Sequence, residues 1–520
     1  MPNKLIGARE AVDLVKDGDV VALHGAGGGN VEPDLLIKTL GERFLETGRP
    51  RNLTLFHVSG LGDRKTTGLG YLAHAGLVKR VIGGHYGMAP LMAKLVLEEK
   101  IEGYNLPQGV MSQWLREVAG GRPGLITAVG LGTFVDPRLQ GGKLNRRCTE
   151  DYVQVVELGG REWLFYRTFP IQVAFIRGST ADEGGNISLE LEPAWLDTLP
   201  LAMAAHNSGG LVIAQVKRLV KAGTIPAKNV KVPAGLVDRI VVHPGQWQTV
   251  AGEYNPAFSG EVKVPLETLD RMELNERKVI GRRGALELVP GVVINMGVGM
   301  PDGVASVAAE EGIDDRMTVY IEQGLIGGIP APGVLFGVMS NYEAVIDQPY
   351  QFDFFDGGGL DMAFLGFAEA DSHGNVNASR FGENLAGTGG FVNISQGAKQ
   401  IIFCGTFTAG GLKSRVGGGK IEIVHEGAHK KFVERVEQIT FSGDYAAQKG
   451  QKVMFITERA VLERVREGMV ITEIAPGVEM ERHILSQMKF TPLVSPQLRL
   501  MDSSLFQEGL MGLARISKGM

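Results

Sequence analysis

The sequence contains little cysteine and no cysteine cluster. Its 520 residues include two cysteines, Cys148 and Cys404, which lie far apart and outside any CxxC or Cys/His ligand spacing. Neither a disulfide framework nor a cysteine-based zinc site is therefore indicated, and a reducing compartment fits this composition best.

Long apolar runs and a large net charge are also missing. No apolar stretch approaches the ~18 residues of a membrane-spanning helix, and Met1–Leu14 lacks the uninterrupted apolar region of a signal peptide. The 53 lysines and arginines against 58 aspartates and glutamates leave a net charge of −5, which does not give the basic surface that nucleic-acid binding requires. We expect a soluble, cytoplasmic protein that binds neither nucleic acid nor a membrane.

Glycine, in contrast, is abundant. The chain has 73 glycines, about twice the usual share, while its 44% hydrophobic and 21% charged residues are ordinary for a globular protein. The surplus therefore indicates tight turns rather than disorder. At a prior of ~150 residues per domain, the length predicts two to four domains.

The two halves of the chain partly repeat each other. Lys4–Val15 resembles Lys278–Val289 without a gap, and Ala174–Ile187 resembles Ala363–Val376. Because the order is the same in both halves, the repeat predicts two related domains rather than a solenoid.

The pattern loosens between Pro226 and Met272, which suggests a boundary there. We predict an N-terminal domain over residues 1–235, a linker over 236–274 and a C-terminal domain over 275–520. Short β-branched runs alternate with amphipathic helical segments, so the predicted fold class is α/β, with two related open domains and largely parallel sheets. The predicted strands are Val20 to Leu23, Leu53 to His57, Leu211 to Val216, Val292 to Asn295, Met317 to Ile321 and Ile401 to Phe403.

Two glycine-rich loops follow corresponding strands. The first contains Gly27 and Gly28, and the second contains Gly297, Val298 and Gly299. Backbone N–H groups in such loops can converge on a phosphate or carboxylate at a helix N-terminus, but a plain strand-to-helix turn has the same composition. Neither loop completes the GxGxxG dinucleotide pattern.

Two polar side chains are candidates for acyl chemistry. Glu322 ends a Val/Ile-rich strand just ahead of a glycine-dense turn, where a partly desolvated carboxylate could act as a base or nucleophile. Gln108 lies between two helical segments and could donate to an oxyanion. The alternatives are a solvated loop glutamate and a capping amide.

Other motifs are less specific. The glycine clusters at Gly387–Gly390, Asp356–Asp361 and Gly417–Gly419 could supply oxyanion N–H groups or could simply be turns. His425–His429 matches the HExxH pattern of zinc metalloproteases. It follows a strand-like segment and contains a glycine, so we favour a structural role and predict no metal site.

Taken together, these segments resemble the family I coenzyme A-transferases over nearly the whole chain, and most closely their acetate/propionate branch. The segments that carry the resemblance are Asp19–Pro33, Asn105–Gly109, Gly130–Pro137, Asn295–Pro301, Val319–Gly328, Phe352–Asp361, Gly387–Gly390 and Ile456–Val461.

The resemblance implies a ping-pong enzyme that moves CoA between short-chain carboxylic acids. Glu322 would be the nucleophile, forming an acyl-glutamyl anhydride and then a glutamyl–CoA thioester. The Gln108 side chain and a backbone N–H of Gly389 or Gly390 would hold the oxyanion, and Gly297 to Gly299, with Gly27 and Gly28, would contact CoA. CoA would be a substrate, no resident cofactor is expected, and the protein would be a homo-oligomer, either a dimer or a tetramer.

Two alternatives stay open from the sequence. Glu322 could act as the general base of a thioester hydrolase, or the chain could bind acyl-CoA without chemistry. The 3-ketoacid branch usually reads Ser-Glu-Asn-Gly at the nucleophile, whereas this chain has Ile321–Gly324, which argues against that branch's substrate.

Overall fold

The structure is a computed structural model that describes residues 4–265 and 271–516. The described residues form two compact units. The first contains the described part of Met1–Val264 together with Ile321–Phe354 and Gly382–Asn393, and the second contains the described part of Pro265–Tyr320, Phe355–Phe381 and the described part of Ile394–Met520.

A parallel sheet of seven strands forms the centre of the first unit, in the order β7-β6-β5-β1-β2-β3-β4. All ten residues of β5 are buried, as expected of a parallel strand covered on both faces. The strands are Val20–Leu23 (β1), Leu53–His57 (β2), Val78–Gly83 (β3), Glu102–Asn105 (β4), Val173–Asp182 (β5), Leu211–Val220 (β6) and Arg239–Val242 (β7).

Helices connect these strands, and a separate antiparallel sheet adds to the unit. The helices are Ala8–Asp13 (α1), Asp34–Thr47 (α2), Pro90–Leu97 (α3), Gln108–Ala119 (α4) and Thr198–Asn207 (α5). The antiparallel sheet consists of Gly124–Thr127, Arg161–Arg167 and Val153–Leu158, and the short strand Ile187–Ser188 pairs with β5.

The second unit is built on a mixed sheet in the order β9-β8-β10-β11-β12-β13-β14-β15. Its first five strands are parallel, β12 to β14 are antiparallel, and β14 and β15 are parallel. The strands are Val292–Met296 (β8), Met317–Val319 (β9), Met362–Gly366 (β10), Gln400–Cys404 (β11), Lys452–Ile456 (β12), Ala460–Val465 (β13), Gly468–Ile474 (β14) and Leu493–Leu500 (β15).

The helices of this part of the chain are Glu276–Ala285 (α6), Gly303–Glu311 (α7), Gln348–Asp356 (α8), Phe391–Gly397 (α9), Gly443–Gln448 (α10) and Leu513–Ile516 (α11). The boundaries between the two units fall inside α8 and α9. Among the described residues, none of the helices combines the length and apolar character needed to cross a bilayer.

The α/β fold class is confirmed, and a strand forms at each of the six predicted places. The strand predicted over Met317 to Ile321 ends at Val319, so Glu322 follows the strand rather than ending it. The repeat is also visible in detail. The Asp182 carboxylate accepts from the backbone and side chain of Asn186, and the Asp371 carboxylate accepts from the same groups of Asn375. The two repeated segments therefore fold into the same type of turn.

The compact units differ from the division that we predicted along the chain. The predicted linker, residues 236–274, begins inside the first sheet, because β7 pairs with β6. Two segments of the C-terminal half, Ile321–Phe354 and Gly382–Asn393, belong to the first unit. Sequence spacing could not indicate this, since long-range packing determines it.

One buried ion pair holds several loops of the first unit together. Arg177, on β5, is 2% exposed and its Nε donates to Glu192 Oε1 over 3.1 Å. The same guanidinium donates to the carbonyl oxygens of Glu32 (3.1 Å) and Trp247 (2.7 Å). It thereby ties the first glycine-rich loop to part of the predicted linker.

Removing Arg177 should destabilise the protein strongly. We expect Arg177→Met to lower the free energy of unfolding by about 3–5 kcal/mol, because Glu192 is left buried without its cation. Arg218→Met is the matched control: Arg218, on the neighbouring strand β6, pairs with Glu190 and has a side chain that is 55% exposed. Loss of this pair should cost less than about 1 kcal/mol. Urea unfolding of both variants measures the difference, and equal losses would contradict this interpretation.

Candidate active site

Buried polar atoms without hydrogen-bond partners gather where strands of the first sheet end. Within the described residues they include His24 Nδ1 after β1, His57 Nε2 and Ser59 Oγ at the end of β2, and Gln108 Nε2 after β4. Buried polar groups are nearly always paired, so such a cluster needs a cause. The carboxyl ends of parallel strands are where α/β sheets bind ligands, which makes this edge the candidate site.

Gln108 is the first residue of α4 and is 3% exposed. Its backbone N–H donates to the Gly389 carbonyl over 2.9 Å, and a Cβ placed on Gly389 would lie 3.6 Å from Gln108 Oε1. The structure therefore brings two of the predicted oxyanion residues together. The amide nitrogen Nε2 remains a buried donor without an acceptor.

The segment that contains Gly389 is fixed by hydrogen bonds to residues at the carboxyl ends of β3 and β4. The Gly389 N–H donates to the Gly84 carbonyl (2.7 Å) and the Thr388 N–H donates to Asn105 Oδ1 (2.9 Å). Gly390 is buried, and its N–H has no partner among the described residues. Of the two predicted backbone donors, only the Gly390 N–H is available for a ligand.

Glu322 lies on a tight turn and is 7% exposed. The turn is closed by a hydrogen bond from the Gly324 N–H to the Ile321 carbonyl over 3.0 Å. Gly324 has φ +89°, and a Cβ at this position would overlap the Ile346 carbonyl oxygen. Glycine is therefore required here, and the alternative of a solvated loop glutamate does not apply.

The first glycine-rich loop packs against the segment that follows Glu322. A Cβ on Gly28 would lie 2.5 Å from the Val334 carbonyl oxygen. Asn30 Nδ2 donates to the Gly337 carbonyl over 3.1 Å, and a Cβ on Gly337 would lie 2.9 Å from Cδ of Gln323. This loop thus contacts Val334 and Gly337, and Gly337 in turn packs against Gln323, the residue next to Glu322.

Gly27 lies in the same short helical turn, Gly27–Gly29, and contacts Met88: a Cβ on Gly27 would lie 3.0 Å from the terminal methyl carbon of Met88. Close approach to the Val334 backbone favours glycine at position 28, and the positive φ values of Gly28 and Gly29 favour glycine at both positions.

The second glycine-rich loop belongs to the other compact unit. It follows β8, and the Gly297 N–H donates to the Phe364 carbonyl over 2.8 Å. Val298 and Gly299 are exposed, and the Gly299 N–H donates to Asp302 Oδ2 over 3.0 Å.

The HExxH segment does not form a helix. His425 ends the strand Lys420–His425, His429 begins the strand His429–Lys430, and Arg459 donates to Glu426 over 2.7 Å. The two histidines are therefore not one helical turn apart, which the zinc motif requires. No group of three or more potential metal ligands occurs in the described part of the chain.

Sequence reasoning missed several polar residues at this edge, namely His24, His57, Ser59 and, just after β3, His85. His85 lies in Gly83–Gly87, a glycine-flanked turn directly after β3. The available signal was its position, since β1 is followed by His24 and Gly25, and β2 ends in His57. Burial lowers the pKa of His85 to about 4, that of His57 to about 4 and that of His24 to about 3, so all three rings are neutral at pH 7.

Comparison with known proteins identifies the family. The family described as Coenzyme A transferase matches residues 6–243. The acetate CoA-transferase YdiF of Escherichia coli K12 is 45% identical over 98% of this chain and 96% of its own. The caffeate CoA-transferase of Acetobacterium woodii is also 45% identical, over 99% of both chains.

Two solved structures agree with this assignment. The apoenzyme of the acyl-CoA transferase YdiF from E. coli O157:H7 is 44% identical, with a TM-score of 0.95 over 98% of this chain and 97% of that chain. A thioester complex of the same enzyme with CoA matches with a TM-score of 0.94 over the same shares. The chain therefore belongs to the coenzyme A transferase family.

Proposed function

We propose that the protein transfers CoA between short-chain carboxylic acids by a ping-pong mechanism in which Glu322 is the nucleophile. The observation that carries this proposal is a nearly buried carboxylate, 7% exposed, on a glycine-closed turn in the same compact unit as Gln108, whose buried Nε2 lacks an acceptor. A relative that is 44% identical has been solved as a thioester complex with CoA, which supports a covalent route.

In the first half-reaction, a Glu322 carboxylate oxygen attacks the carbonyl carbon of acyl-CoA. The C–S bond breaks, CoA leaves as a thiolate, and an acyl-glutamyl anhydride remains. The thiolate then attacks the glutamyl carbonyl carbon. The anhydride C–O bond breaks, the first acid leaves as a carboxylate, and Glu322 carries CoA as a thioester.

The second half-reaction reverses these steps with another acid. The incoming carboxylate attacks the glutamyl thioester and expels the CoA thiolate, which attacks the acyl carbonyl of the new anhydride. A new acyl-CoA leaves and the Glu322 carboxylate is restored. Protons and electrons balance over the cycle.

Each of these steps passes through a tetrahedral oxyanion, which needs preorganised donors. We assign the side-chain donor to Gln108 Nε2. We assign the backbone donor to the Gly390 N–H rather than to Gly389, because the Gly389 N–H already donates to Gly84. These donors lie on an α/β scaffold held by backbone hydrogen bonds, so little reorganisation is needed when charge develops.

The remaining contacts are proposed by analogy with the family. Gly28 packs against Val334, in the segment that contains Glu322. We propose that Gly27 and Gly28 contact the thioester end of CoA, and that Gly297, Val298 and Gly299 form a loop along the CoA arm. Relatives named for acetate and for caffeate are equally similar at 45% identity, so we propose short-chain acids on the branch resemblance alone. A cytoplasmic homodimer or tetramer is the corresponding proposal for location and assembly.

Glu322 should carry CoA covalently when no acceptor acid is present. Wild-type protein incubated with acetyl-CoA should gain the mass of one CoA less one water on the peptide that contains Glu322. Glu322→Gln should gain nothing and should turn over slower by roughly 10⁴-fold or more, as enzymes do without their nucleophile. Peptide mass spectrometry and a coupled transfer assay measure the two quantities.

Glu343→Gln is the matched control, because Glu343 is an exposed carboxylate in the same segment and its loss should leave the adduct unchanged. An adduct that survives in Glu322→Gln contradicts the assignment. CoA release that proceeds without acceptor and without an adduct would instead favour a thioester hydrolase.

Gln108→Leu should lower kcat/KM by about 10²–10³-fold, because one oxyanion donor is lost. Gln113→Leu on the same helix is the control: its Nε2 donates to Asp353 over 3.1 Å, and its loss should change kcat/KM by less than about threefold. Equal rates for both variants would remove Gln108 from the mechanism.

A further inference from the structure

His85 is held in place by backbone hydrogen bonds on both sides. The N–H groups of Tyr86 and Gly87 both donate to the Ala386 carbonyl, over 2.7 and 3.0 Å, and the Gly84 carbonyl accepts from Gly389 over 2.7 Å. The turn with His85 is therefore fastened to the segment that contains the proposed backbone donor.

The imidazole ring lies among three glycines. A Cβ would lie 2.7 Å from His85 Nδ1 if placed on Gly60, 2.9 Å from Cε1 if placed on Gly87, and 3.6 Å from Cδ2 if placed on Gly389. The atom between Cε1 and Cδ2 is Nε2, so this nitrogen is on the ring edge that faces Gly87 and Gly389. Glycine at positions 60 and 87 leaves space that the ring occupies.

Neither ring nitrogen of His85 has a hydrogen-bond partner among the residues described here. The neighbouring histidines differ in this respect. His57 Nδ1 lies 2.8 Å from the Ser59 carbonyl and His24 Nε2 lies 3.1 Å from Thr198 Oγ1. His85 is partly buried and fixed in position, yet its N–H has no acceptor from the protein. Because the ring is partly exposed, water reaches this N–H, and a ligand bound at the site would displace that water and accept the hydrogen bond.

The charge state of the ring suits a donor that does not transfer its proton. Burial, assisted by His57 and by the positive charge of Arg64, lowers the pKa of His85 to about 4. A neutral imidazole has one N–H and can polarise an acyl oxygen without becoming its acid, as a neutral histidine does in triosephosphate isomerase.

We propose that His85 is a further catalytic residue, whose Nε2–H donates a hydrogen bond to the acyl oxygen of the substrate beside Gln108 and Gly390. This inference rests on the proposed transfer function. It adds a third donor to the oxyanion site, and it assigns Gly60 and Gly87 the role of making room for the ring.

The test compares His85→Phe, which keeps a planar ring without an N–H, with His85→Gln, which restores an N–H donor. The measured quantity is the single-turnover rate at which acetyl-CoA converts Glu322 to its thioester, followed by rapid quench. We expect His85→Phe to slow this step by about 10²-fold, and His85→Gln to recover roughly tenfold of that loss. The exposed His206 provides the control His206→Gln, which should react at the wild-type rate.

A pH series distinguishes hydrogen-bond donation by a neutral His85 ring from transfer of its proton to the substrate. The ratio of wild-type to His85→Phe rates should stay constant from about pH 6 to 8, because His85 remains neutral across this range. A ratio that changes with pH would overturn the role as a fixed neutral donor.

The outcomes also separate this inference from the proposed function. If wild-type protein forms no thioester, the proposed function fails. If wild-type protein forms it and His85→Phe forms it equally fast, only the His85 inference fails. If His85→Phe and His85→Gln are equally slow and both melt at a lower temperature, the ring only fills space and the inference is overturned.

Discussion

A small set of backbone hydrogen bonds around Gly389 determines the rest of the site. This glycine donates to Gly84 after β3 and accepts from Gln108 at the start of α4. The segment Gly382–Asn393 thereby joins the carboxyl edge of the first sheet, although it comes from the other half of the sequence. Without these bonds, Gln108 and Gly390 would have no fixed geometry. Because backbone groups make them, the arrangement depends on conformation more than on side-chain identity.

This edge is kept at a cost in stability. Buried donors and acceptors without partners destabilise the fold by about 1–3 kcal/mol each, and several gather here. Interactions elsewhere in the same unit must offset that cost. They include the Arg177–Glu192 ion pair and the packing of the fully buried strand β5. This arrangement is typical of enzymes, in which polar groups at the active site have fewer hydrogen-bond partners than those in the surrounding scaffold.

Much of this could be predicted from the sequence, because the relevant signals are local. β-branched runs predicted all six strands, and internal similarity predicted two related α/β domains. Glu322 was singled out because a strand end and a glycine turn flank it, and the combined motifs identified the family correctly. The glycine at position 324 has only a partly local explanation: its φ of +89° belongs to the turn, but the carbonyl oxygen that a side chain would meet is that of Ile346.

The remaining features depend on contacts between residues far apart in the chain. Nothing near Gly389 in the sequence shows that Gly84 occupies its N–H, and nothing near His85 shows that three glycines surround its ring. The boundary between the two units likewise depends on long-range contacts that the local sequence does not indicate. A loosening of composition near residue 240 is a local property, whereas the membership of Ile321–Phe354 in the first unit is not.

The first unit is built from three separate segments of the chain, which determines how the polypeptide can be divided. A fragment that stops near residue 264 would carry Gln108 and the first glycine-rich loop but would lack Glu322, Gly389 and the chain that covers them. The complementary fragment would contain the proposed nucleophile but would lack the first sheet, whose carboxyl edge forms the candidate site. A split version of this protein would therefore regain its complete site only when both pieces assemble.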